Sequence, residues 1–188
     1  MGRGAPFVFL TGFMGSGKST VGPEVAAALG YAFVDLDEAI AADAGKPVAA
    51  IFDGEGEAAF RAREARMLRQ TGTREGVVVA LGGGTLAEEA NLAWALGHGT
   101  VVYLRVPPET LAARLLGAGQ HGRPLLCDGR GEPLPSAALR QKIETMLARR
   151  EPFYRRAHVV VEAGERDARA VVREVLRVLG VMPGGDFS

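Results

Sequence analysis

The sequence predicts an α/β protein, a parallel sheet with helices on both faces. Two observations carry this expectation. Apolar runs rich in β-branched residues recur at 7–10, 31–36, 77–81, 101–106 and 158–163. Continuous apolar runs of this length suit parallel strands covered on both sides. Stretches of helical period separate these runs, and strands alternating with helices imply parallel pairing through crossover helices.

The first run, "FVFL", leads through a glycine-rich turn into "STVGPEVAAALG", where Gly30 fits a helix C-cap. "YAFVDL" forms the second strand. "EGEAAFRAREARMLRQTG" then reads as a helix ending at Gly72, with apolar and charged residues at helical spacing. "VVVAL" and "VVYLRV" supply the third and fourth strands, and "PPETLAARLLG" places proline at a helix start. "SAALRQKIETMLARREPFYRRA", the strand "HVVVEA" and "RDARAVVREVLRVLG" complete the series. The segment "GAGQHGRPLLCDGRGEPLP" (117–135) is rich in glycine and proline without sustained period. Loops this long in a compact domain are functional or disordered. "VMPGGDFS" reads as a flexible tail over 181–188.

A chain of 188 residues suits one domain, here expected over residues 1–180. Charge balances at 22 basic against 22 acidic residues, so no global field points to nucleic acid or an anionic membrane. A single cysteine, Cys127, excludes an intramolecular disulfide and suits a reducing compartment. His98, His121 and His158 are scattered without zinc spacing. The opening "FVFLTGF" is too short to span a membrane. These features lead us to expect a soluble cytoplasmic protein with neither nucleic-acid nor membrane partners.

The turn after the first strand is "GFMGSGKST". Gly12-x-x-x-x-Gly17-Lys18-Ser19 fits the phosphate-loop pattern, and its strand–turn–helix context fits as well. Glycines let backbone N–H groups turn inward without side-chain clash, and the helix N-terminus adds partial positive charge. The segment from Gly12 through Gly15, Ser16, Gly17, Lys18, Ser19 and Thr20 is therefore expected to bind a nucleotide's phosphates. Lys18 can reach the β- and γ-phosphates, and the Ser19 hydroxyl can sit on Mg²⁺. Guanine is read by an Asn-Lys-x-Asp loop, and the only asparagine here, Asn91, precedes Leu92. ATP is favoured by elimination, and a small kinase is the natural class.

"VDLDEAI" places Asp35 and Asp37 at the end of the second strand. Residues two apart in a strand face the same way, so both carboxylates could meet the crevice beyond the strand ends. One could support a metal through water and the other could meet a hydroxyl. The competing role is that Asp37 caps the next helix. Arg61 and Glu64 lie three apart on a helix, within reach of one another. "LGGGT" follows the third strand, and three glycines suggest a wall that a ligand approaches closely.

Together these residues resemble shikimate kinase. The resemblance spans nearly the whole chain: "GFMGSGKST", "FVDLDEAI", "IFDGEGEAAFRAREARML", "LGGGT", "GRPLL" and "RREPFYRRA". It implies a three-layer P-loop kinase fold of nucleoside-monophosphate-kinase type. Five parallel strands are flanked by helices, with a substrate-binding region at about 37–65 and a mobile lid at about 115–135. It also implies phosphoryl transfer from ATP, with Mg²⁺, to the 3-hydroxyl of shikimate, by a monomer.

By motif, Asp37 would meet shikimate hydroxyls, and it is the candidate general base. Asp35 would stand near Mg²⁺ with Ser19. Arg61 and Arg150 would clasp the substrate carboxylate, and the backbone of Gly83 and Gly84 would line its pocket. Arg123 would reach from the lid to the transferring phosphate, joining Lys18 and Asp37 as a catalytic residue and also contacting nucleotide. Arg114 would stack near adenine. Gluconate kinase and nucleoside-monophosphate kinases share the architecture and are the competing activities. A regulatory nucleotide-binding module without catalysis is a further alternative.

Overall fold

The computed structural model describes residues 7–72, 75–117, 126–128 and 132–181. Five strands form one sheet in the order β2-β3-β1-β4-β5. They are β1 (Phe7–Thr11), β2 (Ala32–Asp35), β3 (Val77–Ala80), β4 (Thr100–Arg105) and β5 (Val159–Glu162). Every neighbouring pair is parallel. In register, Phe9 of β1 stands opposite Val79 of β3 and Val101 of β4. The chain leaves central β1 towards β2 on one side and leaves β4 towards β5 on the other, which opens a crevice at their carboxyl ends.

Among the described residues, seven helices cover the sheet: α1 (Lys18–Leu29), α2 (Leu36–Ala44), α3 (Val48–Thr71), α4 (Glu89–His98), α5 (Pro108–Gly117), α6 (Ser136–Tyr154) and α7 (Ala168–Val178). A 3-10 turn, Thr85–Ala87, precedes α4. Strand alternation sorts the core into two halves. Val8 and Leu10 of β1 pack with Val78, Val102 and Leu104 against α1, α5, α6 and α7. Phe7 and Phe9 pack with Val77, Val79 and Val101 against α2, α3 and α4. Burial of these side chains, each contributing about 1.5–3 kcal/mol, holds the layers together.

The structure bears out two sequence expectations, extends a third and corrects a fourth. All five strands form where the apolar runs lie, and Gly30 caps α1 in the left-handed conformation at φ 69. The helix expected from residue 55 begins at Val48, with Gly56 at φ 83 and ψ 170 breaking it internally. The second strand stops at Asp35, so Leu36 opens α2 instead of ending the strand. Helices α2 and α4 do not stand out in the sequence, because each buries only two or three side chains. Residues 118–125 and 129–131, which hold most of the expected lid and Arg123, lie outside the described residues, as does the tail from 182. Among the described residues no helix is long and apolar enough to cross a membrane.

Candidate active site

The glycine-rich turn between β1 and α1 wraps the start of the helix. Gly12, Gly15 and Gly17 hold φ values of 146, 81 and 98, a region that L side chains rarely enter. A Cβ on Gly12 would come 2.7 Å from the Leu104 carbonyl oxygen, so the loop needs glycine there for space as well. The Lys18 ammonium folds back inside the loop and donates to the carbonyls of Gly12 at 2.9 Å and Phe13 at 3.1 Å. Although Lys18 is only partly buried as a residue, its charged end is enclosed. Desolvation lowers its pKa to about 8, against the pull of Asp37 and Asp35.

Opposite the loop stand the two aspartates, though not in the strand geometry expected for them. Asp35 is the N-cap of α2, and its side chain accepts from the N–H groups of Asp37 and Glu38. The capping role considered for Asp37 thus belongs to Asp35. The second Asp35 oxygen accepts from the Ser19 hydroxyl at 2.7 Å. This pair offers hard oxygen donors at the mouth of the phosphate loop. Among the described residues no group of three or more His, Cys, Asp or Glu could hold a metal on its own. Two protein oxygens fit a small divalent cation that keeps waters and takes phosphate oxygens.

Asp37, in the first turn of α2, faces the same cleft. Water reaches it from the cleft side and protein crowds its other sides. Desolvation, then the charges of Asp35 and Glu64, raise its pKa to about 6 against the pull of Lys18 and Arg61. A carboxyl with a pKa near the working pH suits proton transfer.

The glycine triplet after β3 is a wall for side chains. A Cβ on Gly82 would sit 2.8 Å from Asp37 Oδ1 and 2.9 Å from Glu64 Oε1. One on Gly83 would sit 3.3 Å from an Arg150 nitrogen, and one on Gly84 2.7 Å from both terminal nitrogens of Arg61. None of the three glycines has positive φ, so the requirement is space and not backbone freedom. Arg61 donates to the buried carboxylate of Glu64 at 2.7 Å. The Arg150 guanidinium lies 5.6 Å from the centre of the Phe13 ring, in cation–π range. Tyr154, on α6, donates its hydroxyl to the Gly83 carbonyl, and burial pushes its phenol up to about 12, so it remains a donor. A Gly84→Ala variant is expected to fold but to melt several degrees lower, because its methyl, 2.7 Å from both terminal nitrogens of Arg61, pushes the guanidinium away from the buried Glu64 carboxylate. A thermal melt checks this.

Phosphate loop, aspartates, Leu81 and Gly83 line one cleft of about 530 Å³. Its far end is formed by Arg114, Leu115, Ala163, Arg166, Ala168 and Val171. Arg114 donates to the carbonyls of Gly15 at 3.3 Å, Ala163 at 3.1 Å and Gly164 at 3.0 Å. It therefore ties the phosphate loop to the segment after β5. Sequence reasoning does not single out Arg166, Tyr154 or Thr85. Arg166 sits in "EAGERDARA", where no motif marks it, and Tyr154 is marked only as part of "RREPFYRRA". Trp94 and Tyr103 serve packing: Trp94 meets Phe9 edge-on at 5.9 Å and Tyr103 is buried against Tyr154.

Comparison with known proteins bears on the family and the fold. A model of the shikimate kinase family matches residues 14–180. A shikimate kinase from Salinibacter ruber is 49% identical over 172 residues, covering 92% of this chain and 83% of the relative. Among solved structures, shikimate kinase from Acinetobacter baumannii in complex with shikimate superposes with a TM-score of 0.83 at 34% identity, covering 93% of this chain and 92% of that one. A gluconokinase from Sinorhizobium meliloti is less similar, with a TM-score of 0.60 at 25% identity, over 95% of this chain and 94% of that one. The five-stranded sheet, the phosphate loop and these similarities lead to one conclusion: the chain belongs to the shikimate kinase family.

Proposed function

We propose that the chain transfers the γ-phosphoryl group of ATP to the 3-hydroxyl of shikimate, giving shikimate 3-phosphate and ADP. The observation that carries this reading is the glycine triplet. It brings Arg61, Arg150 and Asp37 against one short wall beside the phosphate loop. Two guanidiniums match a carboxylate, each charge-assisted bond contributing about 1.5–3 kcal/mol, and the neighbouring Asp37 matches a hydroxyl.

In this reading the N–H groups of the loop from Gly12 to Thr20 hold the phosphates, and Lys18 neutralises charge on the transferring group. Asp37 accepts a hydrogen bond from the attacking hydroxyl and takes its proton. Arg61 and Arg150 fix the acid, so the ring alcohol faces the phosphate. Positioning and charge neutralisation dominate phosphoryl transfer. Ser19 and Asp35 would hold Mg²⁺, which would supply positive charge to offset that of the phosphates. The base would lie at the far end of the cleft, beside Arg114 and Arg166. Gly83 and Gly84 would pass the substrate ring closely, with α2 and the start of α3 as its enclosing region. All these residues come from one chain, so a monomer suffices for activity. A single cysteine fits a cytoplasmic setting.

A coupled assay of ADP release over shikimate, gluconate and nucleoside monophosphates tests the reading. Turnover is expected with shikimate, and its absence would overturn the proposal. Arg61→Ala separates substrate binding from nucleotide binding. The variant should raise the KM for shikimate about 30-fold or more, with the KM for ATP within about twofold. Equal losses for both substrates would make Arg61 a structural residue.

A further inference from the structure

Beside Glu64 lies a buried chain of polar contacts that phosphoryl transfer does not use. Glu64 presents two different oxygens to two different elements. One accepts from Arg61 at 2.7 Å, and the other accepts from the Thr85 hydroxyl at 2.6 Å. Both Glu64 and Thr85 are fully buried. Thr85 opens the 3-10 turn behind the glycine triplet, and its own carbonyl accepts from the Asn91 side-chain amide at 3.1 Å. Asn91, itself buried, accepts in turn from Arg69 at 3.1 Å, near the end of α3. The path thus leaves α3 at Arg69, crosses α4 and the 3-10 turn, and returns to α3 at Glu64.

We propose that Thr85, held by Asn91, is a positioning residue that aims Arg61 at the acidic substrate through Glu64. The inference rests on the proposed role of Arg61 as a carboxylate clamp. A carboxylate with one partner can swing about its last torsion, which is broad. With the Thr85 hydroxyl on one oxygen, the other is left facing Arg61. Arg61 is then held flat over Gly84, where a Cβ would come 2.7 Å from its nitrogens. An arginine already held in its binding orientation loses less freedom when the acid arrives. The single asparagine of the chain, which reads no base, thereby has a role in substrate affinity.

Thr85→Val removes the hydroxyl and keeps the shape of the side chain. It should raise the KM for shikimate roughly tenfold, with kcat and the KM for ATP within about twofold, and Thr85→Ser should restore the value. Arg61→Ala and the double variant complete a cycle. In the Arg61→Ala background, Thr85→Val should change the KM for shikimate by less than about twofold. If Thr85→Val leaves shikimate binding intact while Arg61→Ala weakens it, the positioning role is overturned and the clamp stands. The positioning role is likewise overturned if Thr85→Val has its full effect without Arg61. If Arg61→Ala leaves shikimate binding intact, the clamp fails and the positioning role with it. Should Thr85→Val not fold, Thr85→Ala, which adds no bulk to the buried site, gives the same readings.

Discussion

Asp37→Asn should lower kcat by about three orders of magnitude and at the same time make the folded protein more stable. The first effect follows from chemistry. The amide keeps the size of the carboxyl and can still meet a hydroxyl, so the KM for ATP should stay within about threefold. What is lost is the base that receives the hydroxyl proton. The wild-type kcat/KM should fall on the acid side with a midpoint near Asp37's own pKa of about 6, because only the ionised form accepts.

The second effect follows from linkage. Asp37 rises from an ordinary 3.8 to about 6, chiefly through desolvation and then repulsion from Asp35 and Glu64. A raised carboxyl binds more protons in the folded state than in the unfolded state, so stability declines as pH climbs from about 4 to about 6. The full shift corresponds to roughly 3 kcal/mol. Asp37 is exposed on its cleft side, and screening by solvent there reduces the gain to about 1 kcal/mol. The stability excess of Asp37→Asn should therefore be absent below about pH 4, grow towards about pH 6 and stay level above it. Denaturant melts across that range, beside an ADP-release assay, check both effects. Wild-type turnover, or an excess as large at about pH 3.5 as at pH 7, contradicts the assignment.

How far the site is legible depends on whether its geometry is local. The phosphate loop can be read because its backbone conformation demands glycine at fixed spacing, as the positive φ of Gly12, Gly15 and Gly17 bears out. The central strands β1, β3 and β4 can be read because burial on both faces leaves uninterrupted apolar runs, and the edge strands β2 and β5 keep apolar runs although they are partly exposed. Period-two alternation brings Asp35 and Asp37 to the correct cleft by the wrong route. The strand ends at Asp35, whose side chain caps α2, and a short polar residue there signals a helix start as readily as a strand end. "GGG" is legible as a close approach, but its purpose is not. The groups needing that space, Arg61, Glu64 and Arg150, come from other elements. The Thr85–Glu64 contact spans 21 residues of sequence, and no periodicity reports a partner so far along the chain. Arg166 reaches the cleft on the segment leading into α7, where its charge looks like any surface arginine.

Lys18→Met should cost about 100- to 1,000-fold in kcat, and the pH behaviour of the wild type can tell why. The ammonium already sits among the carbonyls of its own loop, so no large movement is needed before phosphate arrives. Desolvation lowers its pKa to about 8 in the free protein. The kcat/KM for ATP, which reports the free enzyme, should therefore fall above about pH 8. Bound triphosphate brings several negative charges beside the ammonium and favours its protonated form. The basic limb of kcat, which reports the loaded enzyme, should accordingly lie at higher pH than that of kcat/KM. Methionine keeps length and apolar volume but no charge, so both profiles of the variant should lose the limb. Arginine should not restore the rate, since its planar fork does not fit a cage sized for one ammonium. If the limb persists in Lys18→Met, another group titrates there, and Lys18 only shapes the loop. If the two limbs coincide in the wild type, the ammonium does not touch the phosphates that it was assigned to neutralise.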